Sequence, residues 1–171
     1  SGSMSCPVGN NPNLTCLDVA ISLGLYISER NLGPFQDTFV TFSARPKLQV
    51  LNGNLRDRIG QLSQADWGMT TNLEATFQLI LGQAVKHQVS QDEMPTKVLI
   101  LSDMEFDEAT SKSWRTYDKV PQWNPTAQQM IKGMYEEAGY EMPDIVYWNL
   151  NARNDNFPTS VNEMGTALVS G

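Results

Sequence analysis

A chain of 171 residues has the length of one domain, and its 40% hydrophobic content is enough for a sizeable core. The formal charge of −7 and the pI near 4.6 exclude a general binder of phosphate backbones, whose affinity comes from Lys and Arg displacing counterions. No apolar run approaches the roughly 18 residues of a membrane span, and no secretory hydrophobic region is present, so the expectation is an intracellular, cytoplasmic domain with no membrane partner.

The two cysteines, Cys6 and Cys16, lie in a Pro/Asn-rich stretch, where two reduced thiols are expected over a disulfide. From Thr15 to about Arg30 the spacing predicts a helix that is apolar on much of its circumference and therefore largely buried. After the Gly33-Pro34 break, Thr38–Phe42 and Lys47–Leu51 alternate as strands around a turn at Ala44-Arg45-Pro46, which suits an antiparallel hairpin at the edge of the sheet. Leu55–Leu62 reads as a short helix. Leu73, Phe77, Ile80, Leu81, Ala84 and Val85 form one stripe of a longer helix over about Asn72–Gln88.

Val98–Leu101 and Ile145–Trp148 are short unbroken apolar runs, as expected of parallel strands buried on both faces. A helix fills Asn124–Ala138 and stops at Gly139, where a left-handed C-cap is expected, and Thr166–Val169 is the last strand. Strands alternating with helices give an α/β fold with a mostly parallel sheet, an antiparallel edge hairpin and helices on both faces.

In such a fold, ligands bind at the carboxyl ends of the parallel strands. Asp103 follows the strand ending near Leu101, and Thr71 opens the helix that packs on the sheet. Ser1 and Ser3 bring further hydroxyls from the start of the chain. Hydroxyls plus one carboxylate are the oxygen donors that a hard divalent cation takes, with Mg²⁺, Mn²⁺ and Ca²⁺ all compatible. The same residues also suit other work: Thr70, Thr71 and Asn72 could cap a helix, and Ser102 and Asp103 could form a strand-to-helix turn. His87, the single histidine, has no Cys or His at ligand spacing, so zinc is not expected.

Taken in order, Ser1-Gly2-Ser3-Met4, Trp67-Gly68-Met69-Thr70-Thr71-Asn72, Leu99–Asp107, Ala138–Leu150 and Gly165–Gly171 resemble the von Willebrand factor A-like domains with a metal-ion-dependent adhesion site. They are closest to the C-terminal A-like domain of a large uncharacterised family similar to the Ro ribonucleoproteins. The similarity runs over nearly the whole chain. It implies a Rossmann-like sheet, and a metal held by Ser1, Ser3, Thr71 and Asp103, with Thr70, Glu105 and Asp107 able to assist through water. In the family an Asp-x at the end of a hydrophobic strand precedes Ser-Gly-Ser-Met, whereas this chain begins at that Ser. The expectation is therefore a fragment of a longer protein; the other reading is that the first four residues are an expression remnant.

Met104–Trp123 lacks periodicity and is long for a connection in a compact domain, which marks it as functional or disordered. Its Trp114, Tyr117 and Trp123, with Asn149 and Arg153 after the next strand, are candidates for a partner surface, although the aromatics could equally pack a short helix onto the body. Three functional classes then compete. The first is a metal-dependent interaction module that captures a partner's Asp or Glu and is not an enzyme. The second is a scaffold beside an RNA-binding part lying elsewhere in a Ro-like protein. The third is a magnesium-dependent hydrolase, disfavoured because no phosphate loop or nucleophile–base pair is found.

Overall fold

Chemistry at the element ends sets much of the local structure. The computed structural model describes residues 2–8, 11–41, 45–65, 72–102, 125–150 and 165–170. A 3-10 turn over Gly2–Ser5 leads into a small antiparallel hairpin of β1 (Pro7–Val8) and β2 (Asn11–Thr15), which the sequence pattern does not announce because NPNLT is a poor strand former. Helix α1 (Cys16–Ser28) then starts at a capping box: the Asp18 amide donates to Thr15 Oγ1 at 3.2 Å, and the Thr15 amide donates to Asp18 Oδ2 at 2.8 Å. The Thr15 hydroxyl and then its amide hold the Asp18 carboxyl below its ordinary value. The cap's contribution is accordingly present above the unfolded carboxyl's pKa and fades as pH falls through the folded one.

The expectation that α1 is largely buried holds for most of its residues and is corrected at Tyr26 and Ile27. Cys16, Val19, Ala20 and Leu23 enter one core cluster and Leu17, Ile21 and Leu25 another, whereas the apolar Tyr26 and Ile27 face solvent together with Asp18 and Ser22.

Strands β3 (Thr38–Val40) and β4 (Leu48–Val50) pair antiparallel as expected. The expected place at the edge of the main sheet is corrected too: among the described residues the hairpin is a separate two-stranded sheet. It docks through Phe39 and Leu48, which pack against two different core clusters. Helix α2 (Leu55–Ser63) opens with a second capping box, Asn54 with Asp57.

Helix α3 (Leu73–Lys86), strand β5 (Lys97–Ser102), helix α4 (Pro125–Glu137) and strands β6 (Asp144–Asn149) and β7 (Thr166–Ser170) complete the order. Pro125 occupies the first helical position of α4, where its missing N–H costs nothing. At the other end Gly139 has φ +81°, Tyr140 N donates to Tyr135 O at 2.8 Å, and Gly139 N donates to Glu136 O at 3.0 Å. This is the left-handed stop expected at that glycine.

The main sheet has order β5-β6-β7 and is parallel throughout. Successive side chains along a strand point to opposite faces. Val98, Ile100, Ile145 and Tyr147 join the cluster that contains Phe77 and Ile80 of α3 and Ile131 and Tyr135 of α4. Leu101 and Trp148, one residue out of phase, join Cys16 and Ala20 of α1. Helices therefore cover both faces, α3 and α4 on one and α1 on the other.

Tyr135 ties the first face together. Its side chain is fully buried and its hydroxyl donates to the Phe77 carbonyl at 2.8 Å. Burial pushes the phenol well above its ordinary range. The folded state therefore keeps a proton that the unfolded state releases above about pH 10, and stability should fall as pH rises past that point, by up to about 1.4 kcal/mol per unit. Urea midpoints of the wild type and Tyr135→Phe between pH 8 and 11 test this. The variant should lose about 1 kcal/mol at pH 8 and show a shallower alkaline decline; parallel declines would mean that Tyr135 does not carry the effect.

Candidate functional site

The carboxyl edge of the parallel sheet is built from three directions. Strand β5 ends at Ser102, which is in register with Asn149 at the end of β6, itself in register with Ser170 of β7. Leu150 N donates to Ser102 O at 2.8 Å, closing the ladder just beyond the last pair. Ser102 and Asn149 are nine-tenths and fully buried respectively. Both follow the alternation of Ile100 and Tyr147, which places them on the α3 side of the sheet.

Helix α3 brings its N-terminus to this edge. Its 14 residues and the 6 of β5 are each about 20 Å long, and residues 87–96 connect them. Tyr140 on the α4–β6 connection donates to Val89 O at 2.7 Å, and Glu141 N donates to Gln91 Oε1 at 2.9 Å. These bonds fix the C-terminal end of α3 at the amino edge of the sheet, so its opposite end lies toward the carboxyl edge. There Asn72 caps the helix, its Oδ1 accepting from Ala75 N at 2.9 Å, while Thr76 Oγ1 donates to Asn72 O at 3.0 Å. Of the three residues considered as caps, Asn72 does the capping.

The 3-10 turn approaches from the α1 side. Met4 packs in the cluster formed by Cys16, Ala20 and Leu150 with Leu101 and Trp148, that is, against the ends of β5 and β6. Ser3 is the residue before Met4 within that turn.

These placements give the neighbours of the expected ligands. Ser3 lies in a turn at the carboxyl edge; Asn72, which follows Thr71, caps α3; Ser102, which precedes Asp103, ends β5. The side chain of Ser3, and all of Ser1, Thr70, Thr71, Asp103, Glu105, Asp107, Trp114, Tyr117, Trp123 and Arg153, lie outside the described residues. Asn149 is different. It is expected on a partner surface, yet its side chain is fully buried, so it belongs to the interior of the edge. Sequence reasoning passed over Ser102 as a buried polar partner of Asn149. Polar residues closing two apolar parallel strands were the available signal.

Among the described residues no three His, Cys, Asp or Glu side chains are grouped as metal ligands, and His87 is exposed at the end of α3. The donor set offered by the sequence is of another kind, three hydroxyls with a single carboxylate. Oxygen groups on neighbouring buried positions, Ser102 and Asn149, are compatible with hard-cation chemistry.

A family model described as a domain of unknown function, DUF7788, matches residues 1–171. The chain belongs to this family. It is also 29% identical over 157 residues to "Uncharacterized protein L728" of Acanthamoeba polyphaga mimivirus, an alignment covering 91% of this chain and 26% of that protein. The chain thus spans about a quarter of the viral relative's length. No solved structure matches the chain. No helix among the described residues is long and apolar enough to cross a membrane.

Proposed function

We propose that this domain is a von Willebrand factor A-like interaction module, in which Ser1, Ser3, Thr71 and Asp103 hold a divalent cation and a partner protein completes the site with an Asp or Glu. The observation that carries the proposal is the meeting of three segments at one edge. The 3-10 turn containing Ser3 comes from the α1 side, the end of α3 next to Thr71 from the other, and the end of β5 next to Asp103 lies between them. Chain segments distant in sequence meet where open parallel sheets bind ligands.

The bound ion would supply an electrophilic position for a carboxylate. Neutral hydroxyls would leave most of its charge uncompensated, which favours an anionic ligand from a partner over water. Asp103 contributes the one negative charge. Thr71 directly precedes Asn72, the N-cap of α3, and would supply its hydroxyl from there. Thr70, Glu105 and Asp107 would act through water, and Trp114, Tyr117, Trp123 and Arg153 would form the rim that a partner covers. The acidic charge of the chain supports a protein partner over nucleic acid.

Thermal melting with chelator, then with rising Mg²⁺ or Mn²⁺, tests the site. A ligand that binds only the native state stabilises it by about 2.7 kcal/mol at a hundred times its Kd, a rise of roughly 5–10 °C for a chain of this size. Asp103→Ala and Thr71→Ala should each abolish most of the rise while melting cooperatively in chelator. A wild-type melting point that ignores both metals would sink the metal proposal and move the scaffold reading ahead.

A further inference from the structure

Cys6 and Cys16 are ten residues apart in sequence, yet their sulfurs lie 3.2 Å apart. The β1–β2 hairpin brings them together. Pro7 pairs with Thr15, and Cys16 N donates to Cys6 O at 3.1 Å, so the two cysteines face each other at the next step along the ladder. Opposed positions on antiparallel strands have Cα separations of about 4.5–5.5 Å, inside the range a disulfide spans. The capping box at Thr15 and Asp18 fixes the first turn of α1, which carries Cys16.

The two thiols differ in access. Cys16 is fully buried and directs its S–H to Leu150 O at 3.5 Å, while Cys6 is half-buried and reachable from solvent. We propose that Cys6 and Cys16 are a redox-responsive dithiol, which a low-molecular-weight disulfide closes into a clasp between the 3-10 turn and the start of α1. The order of steps follows from access. The Cys6 thiolate attacks one sulfur of the small disulfide RSSR, forms a Cys6–SR mixed disulfide and releases RS⁻. The Cys16 thiolate then attacks Cys6 Sγ beside it and expels the second RS⁻. The two thiol protons end on the two released RS⁻ groups, so the protein dithiol loses two electrons and two protons while RSSR becomes two RSH. The mass readout of thiol content, taken in chelator, separates the clasp from any effect of a metal on melting.

The test is to equilibrate the full chain in glutathione buffers of increasing oxidised fraction, quench in acid, alkylate, and weigh the intact protein. The expected result is one transition from a species that takes up two alkyl groups to a species that takes up none and is lighter by two hydrogens. Cys16→Ser should stop at a protein–glutathione mixed disulfide on Cys6, since the second thiolate is missing. The oxidised wild type should melt roughly 5–10 °C above the reduced form, as expected for closing a short loop in a chain of this size. Two thiols that stay alkylatable, a wild-type mixed disulfide that accumulates without closing, or equal melting points for the two forms would each overturn the proposal. The mass readout on the wild type decides the chemistry even if Cys16→Ser does not fold.

Discussion

Phe77→Ala should lower stability by about 3–5 kcal/mol and the melting temperature by about 10 °C or more. Phe77 is fully buried in the cluster where α3 and α4 meet the sheet, among Ile100, Ile131, Tyr135 and Tyr147. Removing the ring forfeits its transfer energy and leaves a cavity that three elements, each pinned by its own backbone hydrogen bonds, can only partly close. The Tyr135 hydroxyl still finds the backbone carbonyl of residue 77, so the loss reports packing and not a broken hydrogen bond. Phe77→Leu, which keeps most of the volume, should cost far less. Urea midpoints with unchanged slopes would measure both, and a loss under about 1 kcal/mol for the alanine variant would show that α3 does not pack as described. Because Asn72 caps α3 at the carboxyl edge, Phe77→Ala should also loosen that end of the helix.

Arg58→Met should cost about 2–3 kcal/mol, less than a fully buried ion pair because the site is only mostly shielded. The guanidinium meets Asp37 in a two-point contact at 2.8 and 2.9 Å, and its Nε donates to Gly53 O at 3.1 Å. The Arg58 and Asp37 side chains are 19% and 14% exposed, so solvent screens the pair weakly. Asp37 itself sits at φ +55°, a backbone conformation that non-glycine residues adopt at some cost, and its carbonyl accepts from Leu51 N at 2.8 Å. The pair thus holds the β3–β4 hairpin on α2, and its loss leaves a shielded carboxylate in a strained turn. Arg58→Met with Asp37→Asn should recover part of the loss. A double-mutant cycle should give a coupling above about 1 kcal/mol, and additive single losses would refute the proposed link.

Most secondary structure was legible because it depends on local chemistry. The stripe from Leu73 to Ala84, the runs at Val98 and Ile145, and Gly139 at its left-handed stop appear where periodicity and capping place them, whereas Val85, counted in that stripe, is exposed. The misses share a cause. Phe39 and Leu48 satisfy a strand pattern whichever sheet receives them, so alternation could not tell an edge hairpin from a separate one. The apolar residues of α1 could not reveal that Tyr26 stays largely exposed with the Arg30 guanidinium 3.6 Å from its ring centroid, since exposure belongs to the neighbour and not to the residue. Asn149, polar at the end of a strand, looks like a surface residue until its place beside Ser102 under α3 is known.

For the site, the sequence by itself determined the inventory: hydroxyls at Ser1, Ser3 and Thr71, a carboxylate at Asp103, and two cysteines in one short stretch. Side-chain chemistry is fixed by residue type and needs no fold to be known. The tertiary structure alone decided what meets what. It set Met4 against the ends of β5 and β6, turned α3 so that its start faces the carboxyl edge, and brought Cys6 within 3.2 Å of Cys16. Each of these depends on backbone pairing and packing between segments tens of residues apart, or on the register of a hairpin whose residues have little strand propensity. A local pattern carries no record of such distances.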